Sequence, residues 1–274
     1  GDCIRTVQDQ GTATRISTNL NLSKRIDEVA DARPDGIRIS LSGFNQENYG
    51  KTHQRGDIET VKENMEKLAS AVRRNGNRTD LTVLFHRYLH NNKDEPLMKS
   101  FAEKLGYHFE PVWAFLMPLE KNLDYAEKGE SALTEIDRET IDQLALPINE
   151  ALKISQNTPM SDCKLRDGQF SIGPDGNVAV CCATYDQKPI GNYLDHSLAE
   201  LQIEKTKQSI CTRCMKQGLH VLSVYGAAEQ YDRAAVARVR AHYPDYNPPK
   251  TASTKKYQEL VRQGLLRLRR VAIG

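Results

Sequence analysis

The first half of the sequence predicts an α/β fold built on a parallel sheet. Two observations predict it. Four short runs of β-branched and apolar residues recur between residues 14 and 115, and a helical pattern lies between each run and the next. Helical connections of that length return the chain to the end where it started, which makes successive strands parallel. Composition agrees: 39% hydrophobic and 27% charged residues are ordinary for a globular chain and exclude a disordered or collagen-like one.

The first strand is expected over Thr14-Arg15-Ile16-Ser17-Thr18-Asn19-Leu20, with Ser23 capping a helix that turns Ile26, Val29 and Ala30 inward. After Pro34-Asp35-Gly36, the alternation of Ile37-Arg38-Ile39-Ser40-Leu41 predicts a second strand. Asp57 is placed to cap an amphipathic helix carrying Ile58, Val61, Met65, Leu68 and Val72, which Asn75-Gly76-Asn77 ends. The third strand is Leu81 to His86. The next helix sets Leu97, Phe101 and Leu105 on one face, and Gly106 stops it. Phe109 to Phe115 completes the set, although Pro111 argues against a central position.

The pattern changes near Pro118. Four segments are expected: residues 1–118 as the sheet and its helices, 119–160 as a charged helical linker, 161–225 as a cysteine-bearing domain, and 226–274 as a helical tail. Against 38 Lys and Arg stand 36 Asp and Glu, a formal charge of +2 that lacks the basic excess of nucleic-acid binders. No apolar window is long enough to span a membrane, and the expected location is cytoplasmic. The sequence begins at Gly1 rather than Met, as expected of a processed chain or a piece of a longer one.

Five of the six cysteines, Cys163, Cys181, Cys182, Cys211 and Cys214, fall in a window of about fifty residues, and Cys3 stands alone. Pro174-Asp175-Gly176 is a turn that folds Cys181 back toward Cys163. Cys211-Thr212-Arg213-Cys214, following a helix capped by Ser197 with Leu198, Leu201 and Ile203 apolar, reads as a knuckle. Four thiolates then converge: Cys163, Cys181, Cys211 and Cys214. By alternation Cys182 points to the opposite face and reads as a core cysteine. This donor set suits a structural zinc or a [4Fe-4S] cluster, and the spacing alone leaves both open.

Cys163, twelve residues, Gly176, four residues, Cys181, then Cys211-x-x-Cys214 resembles the auxiliary-cluster domain of radical S-adenosylmethionine enzymes, called SPASM in its larger form and twitch in its shorter one. Asp175-Gly176-Asn177-Val178 and Ile190-Gly191-Asn192 are similar to the same pattern. Ile16 to Leu20 resembles the third barrel strand, Arg38-Ile39-Ser40-Leu41-Ser42-Gly43 the fourth, and Val61-Lys62-Glu63-Asn64-Met65 the helix after it. The larger form carries further cysteines after the knuckle; here the corresponding positions are His220 and Val224, which favours the one-cluster twitch form. The family's Cys-x-x-x-Cys-x-x-Cys and its Gly-Gly-Glu stretch are absent from the sequence.

The resemblance implies a partial (β/α)6 barrel lacking its first two βα units, roughly 60–90 residues that would precede Gly1, followed by a β-hairpin and helix domain. It implies an auxiliary [4Fe-4S] cluster on Cys163, Cys181, Cys211 and Cys214 that transfers electrons. In the full-length parent it implies S-adenosyl-L-methionine, a second [4Fe-4S] cluster and a 5′-deoxyadenosyl radical. A reductant such as flavodoxin or ferredoxin is the expected partner, and the substrate is a small molecule, a sugar or a peptide. This chain by itself is expected to be inactive. Asn19, Ser40, Ser42, His86 and Arg87, at strand carboxyl ends, are the candidate contacts of S-adenosylmethionine. The alternative is a zinc-stabilised binding module on an inactive half-barrel. Lys51-Thr52-His53-Gln54-Arg55 and the basic Arg262, Arg267, Arg269 and Arg270 read as solvated surface.

Overall fold

The computed structural model describes residues 1–76, 78–157, 162–220 and 229–248. The chain divides into two compact units, Gly1–Val112 joined by the segment that begins at Asp245, and Trp113–Pro244. The first unit opens with helix α1 (Asp2–Asp9), which carries the exposed Cys3. Then β1 (Arg15–Thr18), α2 (Ile26–Asp31), β2 (Gly36–Leu41), α3 (Gln46–Gly50), α4 (Ile58–Arg74), β3 (Asp80–Arg87), α5 (Asp94–Lys104) and β4 (His108–Trp113) follow.

The expected parallel sheet is present, with the strands in sequence order. Register pairs Ile16 with Ile37, and Ile37 with Leu81, so β-branched and apolar residues stack on one face. That face is covered by helices and holds the core: Ile39, Leu41, Val83 and Phe85 are fully buried with Val61, Met65 and Met98. Pro111 is tolerated because β4 is an edge strand, where one row of amides needs no ladder partner. The opposite face is polar and only partly covered. It carries Ser17 and Arg38, paired in register, then Ser40, Thr82 and His86.

Asp57 caps α4 as expected, its carboxylate accepting from the Thr60 amide at 2.6 Å. Gly76, at φ +85°, lets the chain turn away at the other end. Two expectations fail locally. Ser23 is no cap; α2 starts three residues later behind Arg25 and has no side-chain cap. Leu97 is 52% exposed while Met98 and Ala102 are buried, because α5 turns the next stripe inward.

The second unit begins with α6 (Leu119–Lys128), a 3-10 turn (Gly129–Ala132), α7 (Glu135–Asp142) and α8 (Ile148–Gln156). After α9 (Lys164–Gly168), strands β5 (Ser171–Ile172), β6 (Asn177–Ala179) and β7 (Gly191–Asn192) form a small antiparallel sheet. Its hairpin turns at Pro174-Asp175-Gly176, where Gly176 takes φ +80° and the Gly173 amide donates to the Asn177 carbonyl. Helices α10 (Leu198–Thr206), α11 (Ser209–Lys216) and α12 (Glu229–His242) complete it. The basic stretch of Arg262, Arg267, Arg269 and Arg270 lies outside the described residues.

Candidate functional site

Four cysteines from three separate elements line one pocket in the second unit: Cys163, Cys181, Cys211 and Cys214. Leu119, Val180 and Ile210 supply apolar walls, and Arg166 and Thr184 the polar ones. Cys163 is the N-cap residue of α9, and its backbone is tied to Asp167 in both directions, at 3.3 and 2.9 Å. Asp167 in turn is gripped by Arg166, whose Nη1 reaches Met215 Sδ on α11 at 2.9 Å. That contact ties the Cys163 turn to the helix that carries the other pair.

Cys211 and Cys214 sit on α11 rather than on a loop knuckle, and their i,i+3 spacing sets both thiols on one helix face. The helix is anchored from the far side by Arg213, which grips Glu127 through two bonds of 2.8 and 2.7 Å. Cys181 follows β6. The Ala183 amide donates to its Sγ at 3.4 Å, and its carbonyl accepts from the Thr184 amide and hydroxyl. This turn is pinned to the start of α6, where the Leu119 amide donates to the Ala183 carbonyl and Glu120 accepts from the amides of Tyr185 and Asp186.

Cys182 does not line the pocket, and it is exposed rather than part of the core. Strand alternation fails to describe it because β6 ends at Ala179, so Cys181 and Cys182 lie in a turn. Interaction between the two neighbouring thiols, with burial, raises the Cys181 pKa, and the same interaction lowers that of Cys182. Burial pushes Cys211 up and Cys214 to about 12, so in the absence of metal these groups are neutral thiols. Metal binding there must release protons. Among the described residues no three His, Cys, Asp or Glu side chains approach closely enough to hold a single ion.

Residues 163–216 match the SPASM family, an iron-sulfur cluster-binding domain. No curated protein matches the chain. The SPASM segment contains all four pocket cysteines and also Lys205, a residue the sequence reading passed over. Lys205 is fully buried on α10, where its ammonium donates to the carbonyls of Leu165, at 2.5 Å, and Gln169. The one sequence signal for it is its position four residues after the buried Leu201 on the same helix face.

The five candidate contacts of S-adenosylmethionine lie in the first unit and do not form one cluster. Ser42, fully buried, bonds His53 Nδ1 at 2.9 Å and also contacts Thr52. His86 lies near His53, and burial, with repulsion from His53 and Arg38, lowers its pKa to about 4. Ser40 is half-buried on the same open face of the sheet as His86. Asn19 is exposed and closes a local turn with the Asn21 amide. Arg87 departs most from expectation. Adjacent strand residues face opposite ways, so it points into the helix-covered core. There it pairs with Glu95 at 2.5 Å, and Glu95 also accepts from the Tyr246 hydroxyl at 2.9 Å. His86 and Arg87 are therefore not a pair facing one cavity.

The loops at the carboxyl ends of β2 and β3 are joined by two residues that the sequence did not single out, Asn91 and Asp94. Asn91 donates to the carbonyls of Ser42 and His86 at 2.6 and 2.9 Å. Asp94 accepts from the amides of Phe44 and Asn45. Among the described residues no helix is long and apolar enough to cross a membrane.

Proposed function

We propose that the second unit is an auxiliary [4Fe-4S] module, ligated by Cys163, Cys181, Cys211 and Cys214, and that it serves a radical S-adenosylmethionine enzyme. The observation that carries this reading is the meeting of these four thiols around one largely apolar pocket within the SPASM segment. When bound, the cluster supplies a one-electron redox centre. With every thiolate engaged no ligand position is left for substrate, so electron transfer is the role assigned to it. The protein's part is to hold the sulfurs apart and keep water out. Leu119, Val180 and Ile210 exclude solvent, and the Ala183 amide donates to Cys181 sulfur, a contact of the kind that raises cluster potentials.

In the same reading the first unit supplies the later strands of a partial barrel. Its open polar face, bearing Arg38, Ser40 and His86, is assigned to the interior, with Ser40, Ser42 and His86 nearest the nucleoside. Cleavage of S-adenosylmethionine needs the Cys-x-x-x-Cys-x-x-Cys ligands that this sequence does not contain, and it is assigned to a longer parent. Anaerobic reconstitution with ferrous iron and sulfide tests the module. The expected uptake is about four irons and four sulfides per chain, with a broad absorbance near ~400 nm. One tightly held zinc, with no iron taken up under strict anaerobiosis, refutes it.

A further inference from the structure

Lys205 is buried where burial is expensive. Its side chain has no exposed surface, and among the described residues it forms no ion pair with a carboxylate. An ammonium removed from water loses several kcal/mol of hydration, and only a nearby anion restores most of that. Two carbonyls, those of Leu165 and Gln169, accept from it, and the Phe170 ring lies 5.3 Å away. Asp167, whose carboxylate Lys205 helps to keep ionised, is already held by Arg166. Leu165, whose carbonyl accepts from Lys205, also lines the cysteine pocket, and the groups whose thiolates would act on Lys205 are Cys181, Cys211, Cys163 and Cys182. Three of these line the pocket.

We propose that Lys205 is the built-in counter-charge of the cysteine pocket, a buried cation that stabilises the thiolate-bound cluster and raises its reduction potential. This deepens the cluster reading and rests on it. A four-thiolate cluster is a net anion and gains one further negative charge on reduction. A fixed cation beside it stabilises the reduced form more than the oxidised form, and low surrounding dielectric enlarges the difference. Lys205 therefore acts on the centre without ligating it; the Leu165 and Gln169 carbonyls fix where its charge sits.

The test uses the full chain, reconstituted anaerobically with ferrous iron and sulfide, as wild type, Lys205→Gln and Lys205→Met. Glutamine keeps a donor for the carbonyls and removes the charge; methionine removes both. Iron content, the midpoint potential by redox titration, and the thermal transition of the metal-free proteins are read. The expected result is wild-type folding in the metal-free state and at least a tenfold smaller equilibrium constant for reduction in both variants. That is a negative shift of about 59 mV or more for a one-electron couple. Failure of both variants to retain iron, with their metal-free transitions unchanged, supports the same conclusion. A Lys205→Gln cluster at the wild-type potential overturns it, and so does loss of the metal-free fold, since Lys205 then only joins α10 to α9. Absence of iron from the wild type overturns the cluster reading itself and this inference with it.

Discussion

Replacing Arg87 by Met asks whether this residue belongs to a ligand site or to the core. The guanidinium and its partner Glu95 have side chains only 7% and 1% exposed, and two bonds of 2.9 and 2.5 Å join them. Removing the cation strands a carboxylate in an interior that cannot solvate it, a loss of about 3–5 kcal/mol. For a chain of this size each kcal/mol moves the transition by roughly 2–4 °C, so Arg87→Met is expected to lower Tm by roughly 6–20 °C. Arg87→Met combined with Glu95→Met removes the stranded charge. It is expected to recover most of that loss, short of about 1 kcal/mol for the Tyr246 hydrogen bond to Glu95. Thermal denaturation of the four proteins in the cycle measures the coupling directly. A single variant within about 2 °C of wild type, or a double variant no better than the worse single one, refutes the reasoning and returns Arg87 to the list of ligand contacts.

Three further outcomes are expected. His86, drawn to a pKa of about 4 from 6.5 chiefly by burial, binds its proton more weakly folded than unfolded. Its share of stability, up to about 3 kcal/mol, is whole above pH 6.5 and drains as pH falls toward 4. Denaturant titrations of His86→Gln across that window should show a shallower pH slope, and an unchanged slope counts against it. Cys181→Ser should lose the cluster while Cys182→Ala keeps it, read as iron per chain; the reverse result would make Cys182 the ligand. Asp57→Ala removes the cap on the Thr60 amide and should cost about 1 kcal/mol in urea unfolding with no change in iron uptake.

What the sequence disclosed and what it hid follow from the range of the forces involved. The parallel sheet was legible because Ile37, Ile39 and Leu41, like Leu81, Val83 and Phe85, alternate at the period of a strand, and a covered face requires that period. The hairpin was legible because Gly176 supplies the positive φ that its turn needs. The cysteine set was legible as a set, since thiols seldom cluster without a ligand, yet their local settings were not. Cys211 and Cys214 lie on a helix, and Cys182 is exposed, because the end of a strand at Ala179 is decided by pairing with distant residues. Arg87 was misplaced for a related reason. A long charged side chain at a strand end reads as solvent-facing until Glu95 and Tyr246, from other parts of the chain, are brought beneath it.

Helix α10 shows where period counting itself should have sufficed. Leu198, Leu201 and Ile203 are its apolar residues, but positions two apart on a helix lie on nearly opposite sides, so Leu201 and Ile203 cannot share one face. Leu198 and Ile203 are 53% and 54% exposed, and the buried residues of the helix are Leu201 and Lys205, four apart. A lysine on the inward stripe is ordinarily dismissed as an error of phase, because burying an ammonium costs several kcal/mol. Here the phase is right, and the lysine is the residue to explain. It sits inward on the helix that leads into the Cys211–Cys214 pair and donates to carbonyls of the turn that follows Cys163. A cost that folding alone does not recover points to a compensating charge nearby, and the pocket thiols of Cys163, Cys181 and Cys211 are the groups able to provide it once they become thiolates.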